Sequence, residues 1–351
     1  MKLGMVDMDK NKALMFLENS FLEPLLKREE ITDISFNGEC IYYVDNLHGR
    51  QKYDEHIDEK NVRDFLRQIS NLSEQQFSYI SPILDVSFGR YRINATHQSV
   101  SKKNNDGVVN FSLRIASEKI RITDDSDFLT AYLVRLMTFL IRHRISIVIG
   151  GATSSGKTEF QKYLINKVKF NERLIIIDNV HELDMQSNQD ADFSYWQVNE
   201  NNPNTSIETL IRNALRNNPD WLIIAESRGK EMVDILDSAL TGLPIITTMH
   251  SYDVFSLPSR MARMVISGNK NLEYKDVLAD INYHFHFYVY LTKEDNGIIK
   301  RYISDVVFIN NDGKPYRIYQ RYKNKHFYYR PPKELLERFD DFPLLEKEEY
   351  E

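Results

Sequence analysis

Leu14, Leu17, Phe21 and Leu25 recur at close to helical spacing, which predicts a helix over 11–28 that Pro24 kinks or splits. Ile31–Phe36 and Ile41–Val44 then read as two strands, with Asn37-Gly38 as the turn between them. Helical periodicity returns at Val62–Leu72. Leu84–Thr96 and Val108–Ile115 predict further strands around a polar loop, Ser101–Gly107. Residues 1–116 thus predict a small α+β domain.

The pattern changes at 117–127 (SEKIRITDDSD), which is charged, poor in apolar positions and reads as a linker. Asp125 or Ser126 is placed to cap a helix over Phe128–His143, whose basic end suits a helix C-terminus. Short β-branched runs follow at Ile145–Ile149, Leu174–Ile177, Trp221–Ala225 and Pro244–Thr248, separated by helical stretches. Continuous apolar strands of this kind predict a mostly parallel α/β sheet covered on both faces. Tyr283–Leu291 and Ile298–Ile309, joined by Glu294–Gly297, predict an antiparallel hairpin closing that sheet, and 128–330 form the second domain. The tail 331–351 is rich in Asp and Glu and reads as a solvated, partly disordered end.

Composition narrows the class. The chain has 351 residues, 45 Lys+Arg against 51 Asp+Glu, and a net charge of −6, so no specific nucleic-acid partner is expected. With 42% hydrophobic and 27% charged residues it can bury real cores, which excludes global disorder. The single Cys40 excludes a disulfide framework and cysteine-based zinc sites, and fits a reducing compartment. Asp7 and Asp9 interrupt the place of an export signal. The most apolar stretch, Phe128–Gly150, is broken by Arg135, Arg142, His143 and Arg144 and does not predict a membrane span.

The strongest chemical signal is Gly151-Ala152-Thr153-Ser154-Ser155-Gly156-Lys157-Thr158, which fits G-x-x-x-x-G-K-[ST] between an apolar strand and a helical run. Backbone amides in such a loop converge on phosphate oxygens at a helix N-terminus. Lys157 supplies a charge for the β- and γ-phosphates, and the Thr158 hydroxyl a ligand for Mg²⁺. Trp221–Ala225 ends in Glu226, where a Mg²⁺- or water-orienting carboxylate belongs. Leu174–Ile177 ends in Asp178, followed by Glu182, and either of these acids is a candidate to polarise water. A third strand end carries Thr247, Thr248 and His250, the histidine being placed to sense the γ-phosphate.

The order GATSSGKT, IIIDNVHEL, LRNNPDWLIIAESRGKEMVDILDSALTGLPIITTMHS and SLPSRMARMV resembles the secretion or traffic ATPases. These are the hexameric motors of type IV secretion, conjugation, type II secretion and type IV or Tad pili. LLKREEITDISFNG, FGRYRINATH and FSLRIAS are similar to that family's first domain, so the resemblance spans about residues 20–310. It implies a RecA-type P-loop NTPase domain, a Mg²⁺-dependent ATP hydrolysis and a hexameric ring. It also implies a cytoplasmic place at the membrane, held through inner-membrane components of the apparatus. It further implies Lys157 and Thr158 as phosphate and Mg²⁺ ligands, Glu226 as the Walker B glutamate and a metal-site residue, Arg228 as the arginine two residues on, and His250 as the His-box histidine. Arg92 and Arg114 resemble arginines that the first domain brings to the phosphates, with Arg90 as a further candidate there and Arg260 and Arg263 as candidates at a subunit boundary.

Two departures stand out. The family's Glu-Asp-x-x-Glu-Leu reads Asp178-Asn179-Val180-His181-Glu182-Leu183 here, and Leu243 occupies a common histidine position. The first motivates an alternative, a nucleotide-regulated scaffold with little turnover, while a DNA-translocating motor is disfavoured by the acidic balance. His284 and His286 share a face on the expected strand but read as packing, and Arg142-His143-Arg144 as a helix cap.

Overall fold

The computed structural model describes residues 11–117, 119–179, 182–183, 191–198 and 202–351; Asp7, Asp9, Val180 and His181 lie outside them. The chain divides into two compact units, one drawn from 1–118, 180–182 and 295–300, the other from 119–179, 183–294 and 301–351.

In the first unit six antiparallel strands lie in the order Gly49–Lys52, Ile41–Asp45, Ile31–Phe36, Asn110–Ile115, Tyr91–Thr96 and Ile83–Phe88. The run Leu84–Thr96, expected as one strand, is two, because Gly89 turns the chain at φ +54°. Alternation decides which side chains reach the core. Tyr91, Ile93 and Ala95 point inward beside Phe111, Leu113 and Ile115, so Arg92 and Arg114 are left on the opposite face. Helix Glu59–Leu72 covers the apolar face; Asp58 caps it by accepting from Lys60 N, and Phe65 meets Phe111 with ring centroids 6.2 Å apart. The first helical run is indeed split: residues 11–18 and Glu23–Leu26 are separate helices, with Pro24 in the first turn of the second.

The second unit is built on nine strands in the order Phe193–Gln197, Leu174–Asp178, Trp221–Ile224, Ile245–Met249, Ile147–Gly151, Phe287–Asp295, Ile299–Ile309, Pro315–Tyr322 and Lys325–Tyr328. The first six are parallel. Successive residues of the central strands feed opposite cores: Ile147 and Ile149 join Trp221, Ile223, Phe160 and Leu164, while Val148 joins Leu222, Ile224, Ile235 and Met261. This accounts for their unbroken apolar sequence.

The helix cap and the linker differ from expectation. The helix after the linker is Ala131–Arg142, and its cap is Thr130, which accepts from Leu133 N at 3.3 Å, rather than Asp125 or Ser126. Residues 119–127 group with the second unit, Asp124 accepting from Tyr163 Oη at 2.7 Å.

Tyr283–His286 is not strand: helix Tyr274–His284, with Val277 and Ile281 buried, runs through it, and the strand begins at Phe287. His286 sits in the connection, Nδ1–H donating to Ile309 O (3.0 Å) while Nε2 accepts from Arg338 (2.8 Å). Burial and the adjacent guanidinium push its pKa down to about 4. Because the unfolded imidazole gains its proton near pH ~6.5, this group's contribution is complete above that value and is lost as pH falls through about 4. Urea midpoints at pH 7 and 4.5 are expected to show an acid loss about 2–3 kcal/mol smaller in His286→Gln than in the parent. Equal acid losses in the two proteins would refute the assignment.

The acidic tail is ordered. Helix Lys333–Arg338 buries Leu335 completely, and Phe339 and Phe342 pack edge-on against Phe139 with ring centroids 5.3 and 5.1 Å away. Asp341 pairs with Arg142 and His143, so the basic segment meets an ion-pair partner rather than only a helix end. Counting charge missed these three apolar anchors among the acids. Phe342→Ala is expected to cost about 3 kcal/mol in chemical denaturation. A loss under about 0.5 kcal/mol would restore the solvated-tail reading.

Candidate nucleotide site

The loop 151–158 leaves the central parallel strand Ile147–Gly151 at its C-terminal end, where open α/β sheets place their ligands. Two positions require glycine. A Cβ on Gly151 would stand 2.5 Å from Ser155 Oγ and 2.7 Å from Leu291 O, and Gly156 adopts φ +98° to start helix Lys157–Ile165. Ala152, Thr153 and Ser154 are exposed, while Ser155 is fully buried and its Oγ has no hydrogen-bond partner among the described residues. Lys157 is buried with its ammonium folded back on the loop, donating to Gly151 O (3.1 Å) and Ala152 O (2.9 Å). Thr158 stands in the first turn of the helix.

Sheet order brings the other strand ends alongside. Glu226 follows Trp221–Ile224 and His250 follows Ile245–Met249, the two strands neighbouring the loop on one side. His250 Nε2 lies 3.1 Å from Glu226 Oε1, its Nδ1 lies 3.3 Å from Lys157 Nζ, and Arg228 donates to Glu226 Oε2 at 2.8 Å. An ammonium can only donate, so Nδ1 accepts and Nε2 carries the proton toward the carboxylate. Burial, followed by the Lys157 charge, holds His250 below the ordinary imidazole range, which agrees with that neutral tautomer. Lys157, His250, Glu226 and Arg228 thus form one polar chain behind the loop.

Thr247 and Thr248 serve as ties: Thr247 Oγ1 meets Ser227 Oγ at 2.7 Å, and Thr248 Oγ1 donates to Ala225 O at 2.7 Å, on either side of Glu226. Two further residues were not singled out from sequence. Gln161, fully buried on the loop's helix, donates to Ile224 O (2.9 Å) and Ile246 O (3.3 Å), joining that helix to both strands. Glu231 accepts from Gly229 N (2.8 Å) and from Arg228 N, bracing the turn after Glu226. A glutamine in a helix interior carries no sequence signal; a Glu two residues after Gly229 is a weak one.

The other candidates have partners of their own. Asp178 is fully buried, its Oδ2 accepting from Leu183 N (3.0 Å) and Tyr195 Oη (3.2 Å), which ties the carboxylate into the strand–loop junction. Glu182 groups with the first unit, where Arg114 Nε lies 2.8 Å from its Oε1. Arg92 and Arg114 are directly opposite across their strands, and Arg92 forks onto Asp85 at 3.0 and 2.8 Å. Arg90 donates to Leu26 O and lies over the Tyr91 ring. Arg260 and Arg263 are exposed on helix Leu257–Gly268.

The arrangement suits a Mg²⁺-triphosphate. Among the described residues no cluster of three His, Cys, Asp or Glu forms a cation cage. A hydroxyl at Thr158 and a carboxylate at Glu226, with phosphate oxygens completing the shell, is the sparse oxygen set that Mg²⁺ accepts. The buried, unpartnered Ser155 Oγ and the looped-back Lys157 ammonium supply polar groups for an anion.

A family model described as "Type II/IV secretion system protein" matches residues 110–280. An uncharacterised protein of Bacillus anthracis is 30% identical over 323 residues, covering 87% of this chain and 71% of that protein. Type IV secretion system protein VirB11 of Brucella suis is 31% identical over 153 residues, which cover 40% of this chain and 42% of VirB11. Among solved structures, the Legionella pneumophila ATPase DotB superposes with TM-score 0.62 at 18% identity, over 91% of this chain and 82% of DotB. With its P-loop, the Glu226–His250 pair and these matches, the chain belongs to the type II/IV secretion-system, or traffic, ATPase family.

Proposed function

We propose that the chain hydrolyses ATP as a motor subunit of a bacterial type IV secretion, conjugation or pilus-type machine. The observation that carries this reading is the chain Lys157–His250–Glu226–Arg228 set behind the phosphate loop. Loop amides and Lys157 hold the β- and γ-phosphates, Lys157 exchanging the Gly151 and Ala152 carbonyls for phosphate oxygens. Thr158 and Glu226 would hold Mg²⁺, which would supply positive charge to offset that of the phosphates. Glu226 orients the attacking water, while Arg228 and the Nε2–H of His250 fix the carboxylate's two oxygens. When Lys157 turns to phosphate, His250 Nδ1 loses its donor, so the imidazole registers whether the γ-phosphate is present. Arg92 and Arg114, on one face of the first unit's sheet, are the guanidinium source for charge that develops in transfer.

Asp178 lends weight to the slow-turnover alternative: its carboxylate is already committed to Leu183 and Tyr195, leaving Glu226 to position water. Six subunits in a ring, docked on inner-membrane components of the apparatus, would convert nucleotide-driven closure into movement of a partner. Phosphate release from Mg²⁺-ATP by the full chain, with electron microscopy in a non-hydrolysable analogue, tests the reading. Turnover together with sixfold rings is expected. Rings without turnover would favour the scaffold, and monomers without turnover would sink the motor.

A further inference from the structure

Beyond the terminal-phosphate machinery, the loop's helix start is flanked by two side chains with no assigned role. Arg301, on strand Ile299–Ile309, donates from Nε to Ser154 O at 2.8 Å. Its Cδ lies 3.6 Å from the point where a Cβ of Gly156 would stand, and Phe128 Cε2 lies 3.9 Å from the same point. Phe128 is partly exposed and tilted against Phe160, with centroids 5.9 Å apart. Burial, and then the charge of a second guanidinium on Arg121, holds Arg301 below the ordinary arginine range. The backbone N–H of Arg121 donates to Glu159 Oε2 in the first turn of the loop's helix. An aromatic ring and a planar cation therefore converge on Gly156.

A nucleoside triphosphate is linear: terminal phosphate, inner phosphates, ribose, base. Lys157, His250 and Glu226 mark where the terminal phosphate sits, next to Gly151 and Ala152. On the ATP reading the ribose and base lie beyond the inner phosphates, and the start of the helix at Ser154 and Gly156 is where an aromatic ring and a guanidinium stand. A purine offers broad π-faces and ring nitrogens, which an aromatic side chain and a guanidinium plane take by stacking and hydrogen bonding. Gly156 lacks the Cβ that would fill the space between them.

We propose that Phe128 and Arg301 form the subsite for the purine base of the nucleotide, a deepening that rests on the ATP reading above. Arg301 latches the loop through Ser154 and presents its guanidinium face, Phe128 supplies the aromatic contact, and the terminal phosphates are left to the groups around Lys157.

The test separates base from phosphate. Affinities of the full chain for Mg²⁺-ATP, Mg²⁺-UTP and Mg²⁺-tripolyphosphate are compared with those of Phe128→Leu, Arg301→Lys and Arg301→Ala. Phe128→Leu and Arg301→Ala are expected to lose about tenfold in ATP affinity and most of the preference for ATP over UTP. Tripolyphosphate affinity is expected to stay within about twofold, and Arg301→Lys to recover part of the loss. If ATP and tripolyphosphate affinities fall together, Arg301 acts only as a loop latch and the base subsite is wrong. Unchanged ATP affinity in the variants refutes it equally. A parent chain that binds neither ligand overturns the nucleotide reading itself, and this proposal with it.

Discussion

Lys157→Ala is expected to lower Mg²⁺-ATP affinity at least ~100-fold and to remove measurable phosphate release. The ammonium is buried and satisfied by two loop carbonyls and an imidazole, so it is held in place before any ligand arrives. A triphosphate offers it charged oxygens instead, and a charge-assisted bond is roughly twice as strong as a neutral one. The alanine variant loses that gain and leaves the Gly151 and Ala152 carbonyls facing the anion, so repulsion adds to lost attraction. Titration calorimetry of both proteins in Mg²⁺ decides the matter. An alanine variant that binds ATP as tightly as the parent would show that the loop does not grip phosphate through this residue.

Glu226→Gln is expected to cut turnover by a factor of about 10²–10³, or ~3–4 kcal/mol of barrier, with ATP affinity changed less than about threefold. The amide is nearly isosteric and still accepts from His250 Nε2–H, so the position of the side chain is preserved. What it lacks is the charge that polarises water and the second oxygen that engages Arg228. Single-turnover rates beside equilibrium binding separate the two effects. Full turnover in the variant would move the water-orienting role to Asp178 or Glu182, against the buried engagement of Asp178 seen here. Equal losses in binding and rate would make Glu226 a ligand-holding residue only.

Much of the site was legible because its chemistry is local. A glycine that must avoid a Cβ clash, an ammonium six residues on and a hydroxyl beside it lie within one short segment, so spacing alone exposes them. Strand-terminal Glu226 and His250 were legible for a related reason, since parallel strands end at a common edge. What spacing did not reveal was their mutual geometry: the imidazole between Lys157 and Glu226, the carbonyls that hold the lysine, and Gln161 stapling two strands. Asp178 looked like a water-polarising acid, and only burial against Tyr195 revealed its tie to the strand end. Arg92 was assigned to phosphate by resemblance, whereas its register opposite Arg114 and its fork onto Asp85 came from sheet pairing.

The tail and the helix boundaries failed for the opposite reason. Charge density dominated the reading of 331–351, yet Leu335, Phe339 and Phe342 fold onto a helix some two hundred residues earlier in the chain. Thr130 outcompeted Asp125 and Ser126 as a cap because packing of Leu133 and Leu136 fixed where the helix begins.

By itself the sequence determined the α/β alternation, the phosphate loop and the strand ends that carry acids and the histidine, because hydrophobic period and short-range backbone geometry act over a few residues. The tertiary structure alone decided which of those groups meet. Contacts between Lys157, His250 and Glu226 span tens of residues and exist only once the strands are ordered in the sheet, which no local pattern specifies.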